Sequence, residues 1–513
     1  MKNALKMAFG TMASRVLGQL RESLLAAYFD KRITDAWGAA FRLPNLFRRL
    51  LGEGSLSVSF IPVFVEARLD SDVRAQNLVN SVYSFLLLIL GCLTTFGILH
   101  PEPLLKMVLD PSYILDTEKY LLTLRLTKMM FGFIFFVSSY AFMMGILNAL
   151  GQFSLPALAP TLWNLAMIIS TVLPNDWFPV RGDQLGWGVL IGGMLQAGIL
   201  VPALIKAGFF PKLSFDIRNK DFQKVMRNMV PGLLGMGLLQ FTTIVNLRFS
   251  SSLHEGTISY INYVDRLIEL PLSLISVSLG TALLPMLSGL FSKNEKHRMS
   301  EVAQNYLELN LLLAMAAAAG LFSLAEPIVQ LLFGRGQFKL NDVLETADIL
   351  RTYCWIMIFS SAVRVLTPAY YAIKNTWFPA VVSAICLTVH IILAPILMGQ
   401  WQVRGLMIST TISAMLNLFL LLVFFPRFVI GFHFKSFFKK VIIFAVLATL
   451  TGAVAHVFYV LRPLLPAGIF GLIFGLVFSV FVAISAFVWI GRLFGVTQIE
   501  DIVQKLLKRL RKV

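Results

Sequence analysis

DAWGAAFRLPNLFRRLLGEGSLSVSFIPVF, residues 35–64, is long enough to cross a bilayer and has apolar flanks. Yet it carries Asp35, Arg42, Arg48, Arg49 and Glu53, with Pro44 and Pro62 as expected breaks. A charge at membrane depth costs roughly 2.5–3.5 kcal/mol on insertion scales, so such side chains usually face a protein-lined cavity. Just upstream, MASRVLGQLRESLLAAYF (residues 12–29) adds Arg15 and Arg21 to another apolar run. The remainder of the chain reads as apolar walls around these cations.

Composition supports a membrane setting. Apolar residues make up 57% and charged residues 14% of the chain, and mean hydropathy is +0.76. Those values exclude an ordinary soluble globular protein. Apolar runs of about 20 residues recur, the length a helix needs to cross the hydrocarbon core. Alternating ten-residue strands are absent, so a β-barrel is not expected. The net charge of +17 lies largely in connections, as expected for cytoplasmic loops, and does not call for nucleic acid. Cys92, Cys354 and Cys386 sit in apolar runs without disulfide or metal spacing and read as small core residues.

The expected fold is an all-α polytopic membrane protein with 14 transmembrane helices. Basic residues concentrate at one set of connections, including Lys220 to Arg227, Lys293 to Arg298 and the tail from Arg492 to Lys512. Both termini are therefore expected to be cytoplasmic. The tail QKLLKRLRKV is basic and amphipathic, suited to lying on anionic lipid.

An internal repeat organises the chain. FSLPAL at 153–158 answers TWFPAV at 376–381, and Pro62 in SFIPVF answers Pro285 in ALLPML, both pairs 223 residues apart. Arg42-Leu43 answers Arg266-Leu267 at an offset of 224. Six predicted helices separate the copies, an even number, so the repeats should be parallel. The expected domains are a lobe at 1–210, a second six-helix lobe at 211–426, and an extra helix pair with the basic tail at 427–513. Repeats of this kind place a central site between halves in alternating-access transporters.

The second half supplies its own charges: Asp265, Arg266 and Glu269 in SYINYVDRLIELP, and Arg364 in SSAVRVLTPAYY. Asp265 and Glu269 share a helix face. Helix 35–64 offers Arg48 with Asn45. Arginine stays ionised and presents a planar fork that matches phosphate oxygens. Its surplus points to an anion with several oxygens, such as a diphosphate. The plainer alternatives stay open residue by residue. Arg42 and Arg49 either face a cavity or snorkel to headgroups. Glu22 either stands apart or bridges Arg15 or Arg21, Asp265 either orients Arg266 or meets ligand, and Thr34 or Asp35 is a candidate helix N-cap.

No phosphate loop of the form G-x-x-x-x-G-K followed by Ser or Thr occurs, nor any H-E-x-x-H. No nucleophile stands beside a base. No catalytic residue, metal site or cofactor is expected. Segment 224–252 has no acidic residue, leaving Gln240, Thr242, Thr243 and Asn246 as neutral oxygens for an ion.

SRVLG-x-x-RE at 14–22, TDAW at 34–37, FRLPNLFRRLLGEGSLSVSFIPVF at 41–64, NALGQFSLPALAPTLWN at 148–164 and YVDRLIELP at 263–271 resemble the signature stretches of the lipid II flippases. These MurJ/MviN-type proteins belong to the multidrug/oligosaccharidyl-lipid/polysaccharide (MOP) exporter superfamily, and the likeness runs essentially end to end. It implies a transporter, not an enzyme, moving lipid II from the cytoplasmic to the periplasmic leaflet. It implies substrate contacts at Arg15, Arg21, Arg48, Arg266, Asn45, Arg364 and Ser259, with Asp35, Asp265, Glu269 and Glu53 gating or orienting. Where family members often have lysine, this chain has Arg364. The last two helices would groove an undecaprenyl tail. Lipid II, membrane lipids and cell-wall synthesis proteins are the expected partners, and the drive is either membrane potential or a monovalent ion. The rival readings are a flippase for another polyprenyl-diphosphate glycan and a membrane enzyme acting on polyprenyl phosphates.

Overall fold

The computed structural model describes residues 2–50, 56–427, 429, 431–461, 468–500 and 504. Among them every regular element is helical. The chain groups into two compact units, Met1–Ser259 with Arg335–Phe338, and Tyr260–Gly334 with Lys339–Val513.

The first unit opens with α1 (Lys2–Tyr28), α2 (Lys31–Phe47), α3 (Leu56–Asp70) and α4 (Asp72–Leu99). Two short helices, α5 (Pro101–Val108) and α6 (Pro111–Leu115), lead into α7 (Thr117–Ala149) and α8 (Ser154–Val172). α9 (Asp183–Gly198), α10 (Val201–Ala207) and α11 (Lys220–Ser251) complete it. α7 is its central post. Its N-terminus is capped by Asp116, which accepts from the Lys119 backbone N–H at 3.2 Å. Below that cap Met130, Phe131, Ile134 and Ile146 are fully enclosed. α9 squeezes between α7 and α8 because glycine lines it: a Cβ at Gly188 would stand 2.1 Å from Ser170 Oγ, and one at Gly192 2.6 Å from the Trp163 ring. A returning loop docks on the end of α1, where Gln337 N–H donates to the Ala27 carbonyl at 2.9 Å. Gly336 makes this docking feasible, with φ +63° and only 2.1 Å between an added Cβ and that carbonyl oxygen.

The second unit takes its first residues from α12 (Thr257–Leu272), which passes through a π-helical turn (Ser273–Val277) into α13 (Ser278–Ser292). α14 (Lys296–Ser323), α15 (Ala325–Phe333), α16 (Leu340–Tyr353) and α17 (Ile356–Ala372) follow. α18 (Trp377–Phe424), α19 (Phe434–Val460) and α20 (Ile469–Leu493) close the chain. α14 packs against both α17 and α19. α18 is two antiparallel helices. Gln402 leaves helical geometry at φ +48°, and the arms are tied by Ser413 Oγ to the Cys386 carbonyl (2.9 Å) and by His390 to Ser409 (2.9 Å). Gly405 lets the arms meet, since a Cβ there would lie 2.2 Å from the Leu397 carbonyl oxygen.

Among the described residues eight helices are long and apolar enough to cross a membrane, and the pair α16 and α17, bent by 45°, would make nine. The hairpin in α18 counts once in that number. Length and hydropathy alone do not return fourteen crossings among the described residues: α2 and α12, at 17 and 16 residues, fall short of a full span, as do α3 and α13 at 15 residues each.

The expected helix 35–64 is observed as two. α2 begins earlier, at Lys31, and its N-cap is Asp30, whose carboxylate accepts from Ile33 N–H at 3.0 Å, so neither Thr34 nor Asp35 caps it. Neither proline is the break: α2 runs through Pro44, and Pro62 lies inside α3. α2 instead passes into a π-helical turn at residues 48–50. α12 also passes into a π-helical turn, the type of irregularity that recurs at functional sites, whereas residues 51–55 after the turn at 48–50 lie outside the described residues. Pro156 and Pro379 each occupy the third position of their helix, α8 and α18. Cys354 and Cys386 are buried as expected, whereas Cys92 is exposed on α4.

Candidate functional site

In the first unit Arg21 is 2% exposed. It forms an ion pair with Glu22 and donates through Nη1 to Asn164 Oδ1 at 3.0 Å. Its guanidinium lies 4.4 Å from the centre of the Trp163 ring. Asn164 in turn donates to the Ser14 carbonyl at 3.0 Å, tying α1 to α8. Trp163 continues an aromatic wall, 5.8 Å from Phe41, which stacks on Trp37 at 5.3 Å. Of the two acid–base pairings open for Glu22, the one with Arg21 is present in this conformation. Arg15 is half-buried on the same helix.

Arg48 and Asn45 come together as one unit, with Arg48 Nε donating to Asn45 Oδ1 at 2.9 Å. That bond fixes the guanidinium where α2 enters its π turn. Arg42 and Arg49 are half-buried. Glu53 lies outside the described residues.

Asp35 is 1% exposed and is the most heavily bonded acid of this unit. It accepts from Gly256 N–H (2.7 Å), Ser259 N–H (2.9 Å), Ser259 Oγ (2.7 Å) and Lys119 Nζ (3.0 Å). A carboxylate from α2 thereby caps the first turn of α12, meeting the positive end of that helix. Ser259, expected as a substrate contact, is enclosed: its hydroxyl is also 2.8 Å from Thr34 Oγ1. It therefore serves the Asp35 cap in this conformation and presents no group to a ligand. Lys119 carries no signal in the sequence that separates it from a loop cation. It is instead buried, with its ammonium 4.7 Å from the Tyr113 ring centre. Arg125 and Asp183 form another pair that sequence reading missed, with bonds of 2.6 and 2.7 Å. Pairs 58 and 84 residues apart leave no periodic signal.

In the second unit Arg266 Nη1 lies 3.6 Å from Glu269 Oε2, both side chains about half exposed. Asp265 beside them is half-buried. Arg364 is exposed midway along α17. Its backbone is pressed against α13, where a Cβ on Gly280 would stand 2.9 Å from the Arg364 carbonyl oxygen. Charged guanidinium groups at mid-helix are unsuited to face lipid, which offers them no acceptors. Buried acids also occur away from these arginines. Glu308, fully enclosed, accepts from Lys440 Nζ (2.7 Å), Gln498 Nε2 (3.1 Å) and Gln304 Nε2 (2.9 Å). Among the described residues no cluster of three His, Cys, Asp or Glu could hold a metal ion.

This geometry can now be set beside known proteins. The family model described as lipid II flippase MurJ matches residues 25–483. The chain belongs to the lipid II flippase MurJ family. A probable lipid II flippase MurJ from Bdellovibrio bacteriovorus is 54% identical over 424 residues, covering 82% of this chain and 81% of the relative. A lipid II flippase MurJ from Burkholderia cenocepacia is 33% identical over 417 residues, covering 80% and 81%. Among solved structures, a lipid II flippase MurJ in an inward closed conformation superposes with a TM-score of 0.79 at 24% identity, covering 95% of this chain and 99% of that one. An inward-facing multidrug resistance MATE family transporter of the MOP superfamily gives 0.67 at 13% identity, covering 84% and 95%. These two likenesses establish the fold. The MurJ family is one of transporters, and this member is a membrane-embedded, multi-pass protein.

Proposed function

We propose that this membrane protein flips lipid II, the undecaprenyl-diphosphate-linked peptidoglycan precursor, from the cytoplasmic to the periplasmic leaflet by alternating access. The family match across residues 25–483 carries the reading. The exposed mid-helix arginines support it, since Arg266 and Arg364 offer a diphosphate the fork geometry it needs. Arg48, held by Asn45, and Arg15 supply the matching cations of the first repeat. Arg21 acts through Trp163 and Asn164 on the shape of the α1–α8 wall while it stays paired with Glu22. Asp265 and Glu269 orient Arg266, and Asp35 holds the first turn of α12.

The setting is the bacterial inner membrane with both termini cytoplasmic, and cell-wall synthesis proteins are candidate partners. Membrane potential is a suitable drive, because one elementary charge moved across 100 mV is worth about 2.3 kcal/mol; a monovalent ion is the other. The test is leaflet-resolved measurement of lipid II in flippase-depleted cells rescued by this protein. Arg48→Ala, Arg266→Ala and Arg364→Ala should each leave lipid II in the inner leaflet and fail to restore growth. Growth with all three variants, at normal protein level, would remove these arginines from the substrate path. Accumulation of a different polyprenyl-linked glycan would reassign the cargo.

A further inference from the structure

The second unit contains a cavity of about 510 Å³ walled by α14, α16, α17 and α19. It exists because small side chains face it: Ala319 on α14, and Ala445, Ala448 and Ala453 on α19. The two helices touch closely at Gly452, where a Cβ would come within 2.8 Å of Ser323 Oγ. Met315 and Ile358 complete an apolar floor.

The polar groups are gathered at one end. Ser323 is the last residue of α14, Arg351 lies in the last turn of α16, and His456 lies one turn from the end of α19. His456 Nδ1 is 3.4 Å from the Ser323 carbonyl oxygen. Arg351 Nη2 is 3.5 Å from Glu326 Oε2, a long contact on a guanidinium with five N–H donors. From His456 to Ala445 the wall of α19 descends eleven residues, about 16 Å at 1.5 Å per residue. Phe322 and Trp355, 5.5 Å apart, line the cavity and are also exposed, so it opens sideways. The surface beside that opening is apolar, with Val446, Leu450 and Val457 exposed on α19. In a membrane protein such a surface meets lipid.

We infer that this cavity is a binding site for one glycerophospholipid of the surrounding bilayer, its acyl chain between α14 and α19 and its phosphate at Arg351. The order of chemistry along the cavity matches such a lipid: cation and hydroxyl at the helix ends, an indole at the rim, alanine walls below. The polar end lies at the ends of helices, whereas Arg266 and Arg364 lie within theirs. The site is therefore distinct from the groups assigned to the transported headgroup.

The test is native mass spectrometry of the full-length protein in detergent with added dioleoyl phosphatidylglycerol. The wild type should retain one phospholipid through detergent exchange. Ala445→Trp fills the cavity and should abolish retention; Ala445 is exposed on its helix, so the indole has room without disturbing the core. Arg351→Gln removes the charged donor at a partly exposed position and should weaken retention by about tenfold. A thermal melt of each variant near that of the wild type shows that the fold is intact. Undecaprenyl phosphate should not displace the bound phospholipid. Equal retention by the wild type and both variants would overturn the site. Displacement by undecaprenyl phosphate would overturn the phospholipid assignment in favour of a prenyl chain.

Discussion

Asp35→Asn is the sharpest perturbation the structure offers. The native carboxylate faces four donors and no acceptor: two backbone N–H groups, one hydroxyl and the Lys119 ammonium. Asparagine keeps the shape but has one accepting oxygen and a donating amide. With that oxygen toward Ser259, the amide must face Gly256 N–H and the ammonium, donor against donor. A buried charge that loses its partner costs about 3–5 kcal/mol. Much of this should fall on the first turn of α12, because two of the lost or weakened bonds are its capping bonds. If about 3 kcal/mol appears there as easier local opening, hydrogen exchange at Gly256 and Ser259 accelerates by roughly 150-fold. The assay is hydrogen–deuterium exchange mass spectrometry in detergent, read on the peptide covering residues 254–262. Adding Lys119→Met to Asp35→Asn removes the stranded ammonium and should recover part of the protection. Exchange within threefold of wild type in the single variant would show that the Asp35 cap does not hold this turn. A double variant less protected than the single would show that Lys119 is not the charge at stake.

Three further outcomes follow from individual contacts. Gly336→Val should release the loop at 335–338 from the Ala27 carbonyl, since its φ is +63° and an added Cβ would overlap that oxygen; limited proteolysis should then cut there first. Asp221 is held below the usual carboxylate range chiefly by hydrogen bonds from Arg74, against a burial effect that raises it, with further help from the charges of Arg74 and Lys224. Because its folded value is depressed, its stabilisation is present above the ordinary value near 3.8 and is lost as pH falls through the lower folded value. Proteolysis of residues 212–224 should accelerate over that acid window in the wild type and be fast at all pH values in Asp221→Asn. Glu308→Ala should strand Gln304 and Gln498 while Lys440, partly exposed, turns to water. A cost of about 1–3 kcal/mol is expected, read as earlier proteolytic loss of the segment after α20.

The reading of 35–64 shows where sequence stops. Its charges and length mark a helix that cannot face lipid, and Arg48 with Asn45 does form one unit on it. The prolines nevertheless misdirect: α2 tolerates Pro44, and the disruption emerges downstream as a π turn. Pro156 and Pro379, 223 residues apart in sequence, do recur at the same position of α8 and α18. Ser259 bonds Asp35 and Thr34 in this conformation, and a hydroxyl beside a charged motif looks the same in sequence whether it meets ligand or supports a neighbour.

The sequence by itself determined the solvent, the all-helical class and the family, since these follow from composition, period and contiguous motifs that need no partner. It also placed arginine, not lysine, at Arg48 past the end of α2 and at Arg266 and Arg364 within their helices. Tertiary structure decided which charges are spent on architecture. Lys119 with Asp35, Arg21 with Glu22 and Asn164, and Glu308 with Lys440 are held by partners in the packed interior, while Arg266, beside Glu269, and Arg364 lie exposed on their helices. The reason is physical: a buried ion is stable only when donors and acceptors converge on it from several helices, and that convergence is set by packing between segments that are remote along the chain.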